Sequence, residues 1–128
     1  MLEKLLGFAR MLNELQVVER VIRVKDKDRW ENDMEHSYHL AMLAWYIIDS
    51  QKLSLDREKV FRYALAHDLV EVYAGDTYLF SSDQALLDSK LERERIAAKR
   101  LVKEFPEVPE MHEAILRYVM KDDPESRF

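Results

Sequence analysis

The scarcity of helix-breaking residues is the feature that most constrains the fold of this chain. Its 128 residues include only two glycines and three prolines. Between them, long segments repeat apolar side chains at the three- and four-residue spacing of an amphipathic helix. No segment shows a convincing strand pattern, an internal repeat or a low-complexity tract. The sequence therefore predicts an all-α fold in a single domain, of a size that can enclose one core.

Helix boundaries follow from this periodicity and from the residues that cap helices. Asp56 is a candidate N-cap for the third helix, Gly75 is expected to end it, and Pro109 suits the first position of the last helix. The second helix is apolar on most sides from Leu40 to Ile48, so we expect it to be the central buried helix. The predicted helices cover residues 2–21, 34–51, 57–73 and 83–105, and a fifth begins at 109 and ends before 124.

Composition and charge restrict the class of function. Hydrophobic residues make up 48% and charged residues 35% of the chain, as in an ordinary globular protein. The net charge of −5 argues against a protein that binds nucleic acid polymers, because such proteins usually carry a basic surplus. The longest apolar stretch, Leu40 to Ile48, is too short to span a bilayer, and no signal peptide is visible. With no cysteine in the chain, we expect a cytoplasmic protein without membrane contacts.

Two separated blocks carry the residues that indicate chemistry. His67 and Asp68 are adjacent, and Glu71 follows within one turn of the predicted third helix. A second histidine, His36, lies far upstream at the start of the second helix. Histidine and aspartate suit divalent ions such as Mn²⁺, Co²⁺, Zn²⁺ or Fe²⁺. The pattern predicts that His36, His67 and Asp68 bind one divalent cation, with Glu71 acting on a water molecule as base or acid.

The residues alone leave other interpretations open. Asp68 could merely orient His67 or pair with an arginine in the core, since a histidine–aspartate dipeptide is a weak motif. His39 could be a further ligand beside His36, but a packed or exposed histidine is more common at such a position. His112 lies among charged residues and is more typical of a surface position.

A resemblance to a known family resolves these alternatives. The block Glu31-Asn32-Asp33-Met34-Glu35-His36-Ser37, the block from His67 to Glu71, and the string Gly75-Asp76-Thr77 occur in the order and spacing of the HD-domain metal-dependent phosphohydrolases. The resemblance covers roughly residues 10–128 and is greatest to the branch that contains the bacterial 5′-deoxynucleotidases. It implies an all-α HD-domain bundle of about five to six helices, one divalent metal ion and hydrolysis of a phosphomonoester.

The resemblance also implies a role for individual side chains. Three of the family's four metal ligands correspond to His36, His67 and Asp68. The acidic residue that positions or activates the attacking water corresponds to Glu71, and a second acidic residue near the scissile phosphate corresponds to Asp76. An arginine that binds the substrate phosphate aligns with Arg20.

The chain departs from the family pattern in two places. In the deoxynucleotidase a tryptophan follows the phosphate-binding arginine and helps to select deoxyribose, whereas this chain has Val21. The fourth metal ligand of the family is an aspartate on a later helix, and the segment from Asp122 to Phe128 resembles only the approach to it. Asp122 or Asp123 could substitute, but we expect that residues 1–128 lack the C-terminal helix that carries the last ligand.

The sequence thus predicts a metal-dependent 5′-nucleotidase that releases phosphate from (deoxy)nucleoside 5′-monophosphates, with Mn, Co, Zn, Fe or Mg as the metal. A non-catalytic HD-fold module for ligand binding or dimerisation is the alternative, and a cyclic-nucleotide or pyrophosphate hydrolase is a weaker third. Exposed apolar side chains on the later helices predict a homodimer; these residues are Leu86, Leu87, Leu91, Ile115 and Leu116.

Overall fold

Helices make up most of the structure, a computed structural model that describes residues 1–75 and 83–128. The all-α prediction is confirmed in the described part of the chain, where five helices have at least 10 residues and two are single turns. No described helix has the length and apolar character that crossing a membrane requires. The elements are α1 (Leu2–Leu15), β1 (Glu19–Arg23), β2 (Trp30–Asn32), α2 (Asp33–Ser50), α3 (Arg57–Ala66), α4 (Glu71–Ala74), α5 (Gln84–Glu104), α6 (Pro109–Met120) and α7 (Pro124–Arg127).

A short antiparallel hairpin replaces the end of the predicted first helix. The prediction that the chain has no strand was wrong, because α1 ends at Leu15 and β1 pairs with β2. Glu19 lies opposite Asn32 and Arg23 opposite Trp30, with an irregularity between them. The segment after Leu15 is rich in β-branched residues, which favour strands once a pairing partner is available. The hairpin brings β1 next to the start of α2.

The third predicted helix is interrupted at the histidine–aspartate pair. Its start was predicted correctly, since the Asp56 side chain accepts hydrogen bonds from two backbone N–H groups of the first turn. The continuous helix to residue 73 was wrong, because α3 ends at Ala66 and α4 begins at Glu71. The intervening backbone forms tight turns in which Leu69 N–H donates to Ala66 O and Glu71 N–H donates to Asp68 O. Gly75, with φ of 75°, ends α4 in the left-handed region.

The main core lies between α1, α3, α5 and α6, with the turn after α3 at its centre. Aromatic contact supports it, since the rings of Phe8 and Phe105 meet edge to face with centroids 5.3 Å apart. Pro109 begins α6 as predicted. The buried residues of this core are Met11, Leu15, Tyr63, Ala66, Leu69, Val70, Ala97, Leu101, Phe105, Ala114 and Ile115.

Helix α2 is not the central buried helix that its apolar run predicted. Ala44 and Ile48 pack with Val60 of α3 in a small second cluster. The opposite side is open, and Tyr38 and Tyr46 are 68% and 72% exposed. An apolar run shows that a helix can be buried against another surface. It does not show that the described part of this chain supplies that surface. The surface prediction for the later helices was right for Leu86, Leu91 and Leu116 and wrong for the buried Ile115.

Candidate metal centre

The first turn of α2 places His36 in a rigid setting. Asn32 caps the helix by accepting a hydrogen bond from Glu35 N–H at 2.9 Å, and Glu35 accepts one from Asn32 N–H at 3.1 Å. Arg29 adds two hydrogen bonds to the Glu35 carboxylate, at 2.6 and 2.9 Å. This reciprocal capping box fixes the direction in which α2 begins. His36 therefore projects from a helical turn that the capping box and Arg29 hold in place.

His36, His67 and Asp68 converge, although the first lies on α2 and the others follow α3. Nε2 of His67 lies 3.1 Å and Nε2 of His36 3.6 Å from Oδ2 of Asp68. The two imidazole rings stand 5.4 Å apart at 62° to each other. One ligand atom from each of the three residues lies within 4.8 Å of the others. This spacing allows all three to bind one cation.

The backbone selects the tautomer of His67. Its Nδ1 lies 2.8 Å from the carbonyl oxygen of Ala64, which can only accept, so Nδ1 carries the proton. Nε2 is then the nitrogen that faces Asp68 and can bind a metal. Such a bond to the non-coordinating nitrogen is typical of histidine ligands, because it fixes both tautomer and ring orientation.

Burial and neighbouring charges shift the pKa values of the three groups. Burial, followed by the positive charge of Arg20, lowers the pKa of His36 to about 4, which keeps the imidazole neutral. Burial also lowers the pKa of His67, but the hydrogen bond and charge of Asp68 outweigh it and the net shift is upward. Burial alone would raise the pKa of Asp68, yet contact with His67 holds it below its usual value. Asp68 is therefore ionised, as a metal ligand must be.

The hairpin adds a group of charges on the other side of these ligands. Nη1 of Arg20 lies 3.4 Å from Oδ2 of Asp68 and 3.6 Å from Oδ1 of Asp33. Nε of Arg20 lies 3.8 Å, and Nδ1 of His36 lies 3.4 Å, from Oε1 of Glu31. Glu31 thus stands behind His36, on the side of the ring away from Asp68.

Three acidic side chains crowd together beside this arginine. Asp33 is completely buried, and Asp68 and Glu71 are 9% and 6% exposed. One carboxylate oxygen from each lies within 4.8 Å of the others. Several buried carboxylates at this separation repel one another unless positive charge accompanies them. Two imidazoles, a carboxylate and this surrounding negative charge form a donor set that fits a divalent cation.

A cavity of about 670 Å³ opens from this cluster toward α5 and α6. The predicted site residues Arg20, His36, His67, Asp68 and Glu71 line one end of it. The remainder combines apolar side chains, among them Leu91, Leu116 and Val119, with charged side chains of both signs, among them Lys99 and Glu113. The volume is that of an ordinary small-molecule site.

Of the remaining candidate residues, those that the structure describes do not belong to the His36–His67–Asp68 group. Asp76 falls outside the described residues. His39 is exposed on α2, and Nε2 of His112 lies 2.7 Å from the carbonyl oxygen of Phe105. Asp123 caps α7 and accepts a hydrogen bond from Tyr63 at 2.5 Å. Among the described residues, neither Asp122 nor Asp123 belongs to a group of potential metal ligands.

Sequence reasoning missed Glu31 and Asp33. Both lie in the block that the family resemblance singled out for His36, but their acidic side chains were treated as part of the pattern. The available signal was the spacing of Glu31, Asp33 and Glu35, which places three acids next to a histidine. Without the hairpin, nothing in the sequence shows that two of them face Arg20 and the third faces Arg29.

The chain is similar in sequence to enzymes from mammals. The 5'-deoxynucleotidase HDDC2 of Homo sapiens is 30% identical over 97% of this chain, and the Mus musculus protein of that name is 28% identical. The chain spans about 60% of the length of these relatives. The names of these relatives therefore refer to proteins that are longer than the 128 residues of this chain.

Solved structures show the same arrangement of helices. The crystal structure of a protein named predicted metal-dependent phosphohydrolase, from Magnetospirillum magnetotacticum, matches 99% of this chain and 63% of its own, with a TM-score of 0.82 and 30% identity. A conserved hypothetical protein from Pyrococcus furiosus matches 95% of this chain and 71% of its own, with a TM-score of 0.68 and 25% identity. The family model for the HD domain matches residues 12–128, and the chain belongs to this family.

Proposed function

We propose that the protein is a metal-dependent phosphohydrolase that removes phosphate from (deoxy)nucleoside 5′-monophosphates. The convergence of His36, His67 and Asp68 at one end of a cavity carries this proposal. Arg20 at the same end offers a positive charge for a phosphate, and Glu71 offers a buried carboxylate. The names of the human and mouse relatives support a nucleotide as the substrate.

The composition of the cavity supports a nucleoside monophosphate as the substrate. Its metal-ligand end is polar, whereas Leu91, Leu116 and Val119 give the far end apolar surface for a base or sugar. Lys99 adds a further positive charge along the wall. A phosphate held between Arg20 and the ligand cluster would leave the nucleoside pointing into the apolar part.

Each residue has a distinct task in the proposed reaction. A divalent cation held by His36, His67 and Asp68 would polarise the phosphate and lower the pKa of a water molecule. Arg20 would hold a phosphate oxygen through its planar guanidinium. Glu71, which is buried beside Asp68, would accept the proton of the attacking water. In this proposal Asp76 contributes a second acidic group near the phosphate.

A phosphate-release screen tests the proposal with matched histidine variants. Metal-loaded protein is offered ribo- and deoxyribonucleoside 5′-monophosphates, cyclic nucleotides and pyrophosphate, and metal content is measured alongside. We expect release from the monophosphates, lost in His36→Gln and retained in His39→Gln, because His39 lies on the same helix outside the ligand cluster. Nucleotide binding without hydrolysis would favour the non-catalytic module. Phosphate released only from pyrophosphate, or cyclic nucleotides opened to monophosphates without release of phosphate, would favour the third class.

Several finer points stay predictions. We infer one bound ion, chosen from Mn, Co, Zn, Fe and Mg, and a fourth protein ligand beyond the three described. A homodimer would cover apolar surface of the later helices outside the cavity, such as Leu86, which is 37% exposed. Sedimentation at micromolar concentration tests it, and a monomer throughout would contradict it. The cytoplasmic location rests on the same sequence argument as before.

A further inference from the structure

Asp33 is a buried acidic residue for which the reaction just described has no task. It is the first residue of α2 and its side chain has no exposed surface. Its backbone N–H donates a hydrogen bond to Val18 O at 3.0 Å, which ties the start of α2 to the chain before β1. Oδ1 of Asp33 lies 3.6 Å from Nη1 of Arg20. The backbone bond and complete burial thus place the carboxylate beside the proposed phosphate-binding arginine.

Arg20 contacts one acid of the proposed metal-ligand set and two acids outside that set. Its Nη1 is placed between Oδ2 of Asp68, at 3.4 Å, and Oδ1 of Asp33, while its Nε is 3.8 Å from Glu31. A cation on Asp68 would draw on the same carboxylate and repel the guanidinium. Asp33 and Glu31 lie outside the His36–His67–Asp68 set, so their attraction for Arg20 would persist.

We propose that Asp33 is a positioning residue that holds Arg20 beside the metal ligands, in the orientation that a substrate phosphate needs. The inference rests on the proposed function, because it assumes that Arg20 binds phosphate. A free arginine side chain samples many rotamers, and ordering it on binding would cost affinity. A carboxylate with no freedom of its own removes much of that cost by fixing the guanidinium in advance.

Simple electrostatics predicts the opposite effect for this residue. A negative charge close to an anion site repels the anion, so a bystander Asp33 would weaken phosphate binding. Its neutralisation would then strengthen binding. If Asp33 acts by positioning Arg20, its neutralisation weakens binding instead. The sign of the change therefore separates the two roles.

The test measures the affinity for inorganic phosphate by calorimetry in Mn²⁺-loaded protein. We expect Asp33→Asn to bind phosphate about 10-fold more weakly than the wild type, the lower end of effects seen for residues that orient a site. In an Arg20→Gln background the same substitution should cause no further weakening. Glu35→Gln is the matched control, since it removes a carboxylate from the same helical turn, keeps the capping box and contacts Arg29 rather than Arg20.

Phosphate affinity that is unchanged or tighter in Asp33→Asn would overturn the inference, as would an equal loss in both backgrounds. Thermal unfolding provides a readout that does not depend on the proposed function. If Asp33 holds Arg20, the loss of Tm in the double variant should be smaller than the sum of the two single losses. Additive losses would overturn the inference. Absence of phosphate binding in metal-loaded wild type, together with non-additive losses, would overturn the proposed function and leave the pairing of Asp33 with Arg20 established.

Discussion

The two sides of the candidate site are built in different ways. The helical side consists of His67, Asp68 and Glu71, which lie within one short stretch of chain and are all buried. Backbone hydrogen bonds between residues three apart hold this stretch. The hairpin side consists of Arg20, Glu31, Asp33 and His36, which meet only because β1 pairs with β2.

The two sides also differ in exposure, apart from Asp33, which belongs to the hairpin side and is completely buried. The side chains of Arg20, Glu31 and His36 are 22%, 17% and 22% exposed, whereas that of His67 is 5% exposed. The groups to which we assign proton transfer and most of the metal binding are therefore enclosed. The arginine that would meet the substrate lies nearer to solvent. Local backbone structure fixes the enclosed groups, and contacts between side chains fix the accessible ones.

The largest effect is expected from the helical side. Glu71→Gln preserves the shape of the side chain but removes the charge that accepts a proton. We expect phosphate release to fall roughly 10²- to 10⁴-fold, the usual size of a general acid–base contribution. Metal occupancy, measured on the purified variant, should largely survive, because the three ligands are unchanged.

Glu58→Gln serves as the control for that variant. Glu58 lies on the outer side of α3, with 72% of its side chain exposed, and pairs with Arg62. The control should retain the activity of the wild type. Near-normal turnover in Glu71→Gln would remove Glu71 from the mechanism and would leave the helical side with metal binding alone.

A smaller effect is expected from the partner of His36 on the hairpin side. Glu31→Gln weakens the contact with Nδ1 of His36, which is 3.4 Å in the wild type. We expect the affinity for Mn²⁺ to fall by about 10-fold, as for other residues that orient a histidine ligand. Titration calorimetry measures it, with the exposed Glu19→Gln as control. His67 has no such weak point, because its Nδ1 is held by the backbone of Ala64. Unchanged affinity would show that α2 alone orients His36.

The sequence predicted correctly that the residues of the helical side lie close together, because they are neighbours in the chain. His67, Asp68 and Glu71 would approach one another in a helix or in a tight turn, so the wrong secondary structure still gave the right proximity. The break at Ala66 was missed because no glycine or proline accompanies it. Packing of Leu69 and Val70 into the core, rather than a local signal, accounts for the turn.

The hairpin side depended on information that is not local. Arg20 was assigned by the family resemblance and not by its own surroundings. Asp33 and Glu31 were overlooked because the hairpin brings them to Arg20. The register of β1 against β2 decides which way Glu31 faces, and a one-residue change of register would reverse it. The burial of α2 was overestimated for a related reason. An apolar sequence of this kind does not specify the surface that covers it.

A single hydroxyl group contributes to the contact between α7 and α3, the helix that precedes the helical side. The hydroxyl of Tyr63, a core residue of α3, donates a hydrogen bond to Oδ2 of Asp123 at 2.5 Å. Tyr63→Phe should lower the free energy of unfolding by about 1 kcal/mol, because one partly buried hydrogen bond is lost. Urea unfolding measures the change, and Tyr46→Phe on the exposed face of α2 should be neutral. A loss in both variants would mean that the hydroxyls act through something other than this contact.

The smallest effect is the loss of stability that we expect at acid pH. It should come from two carboxyl groups outside the site, Glu35 and Asp123, whose contributions should respond differently to salt. Arg29 holds the pKa of Glu35 at about 2 near the hairpin, despite slight opposition from burial. Burial acts to raise the pKa of Asp123, but hydrogen bonds from Tyr63 and Ser126 outweigh it and hold this pKa also at about 2. Both folded-state values lie below the usual carboxyl pKa of about 4. The stability they contribute is therefore complete above about pH 4 and is lost as the pH falls toward 2.

Both groups are partly exposed to solvent, so the loss should be modest. The Glu35–Arg29 pair is an exposed ion pair that high salt screens, whereas the donor to Asp123 is a neutral hydroxyl. Between about pH 5 and pH 2, the urea midpoint should therefore fall less in Glu35→Gln than in the wild type when the salt concentration is low. In Tyr63→Phe, the fall of the midpoint that remains at high salt should be smaller than in the wild type. If high salt abolished the whole pH dependence of the midpoint, the contact of α7 with α3 would be as sensitive to screening as the Glu35–Arg29 pair. The contrast between the two sides of the site would then not extend to these outer contacts.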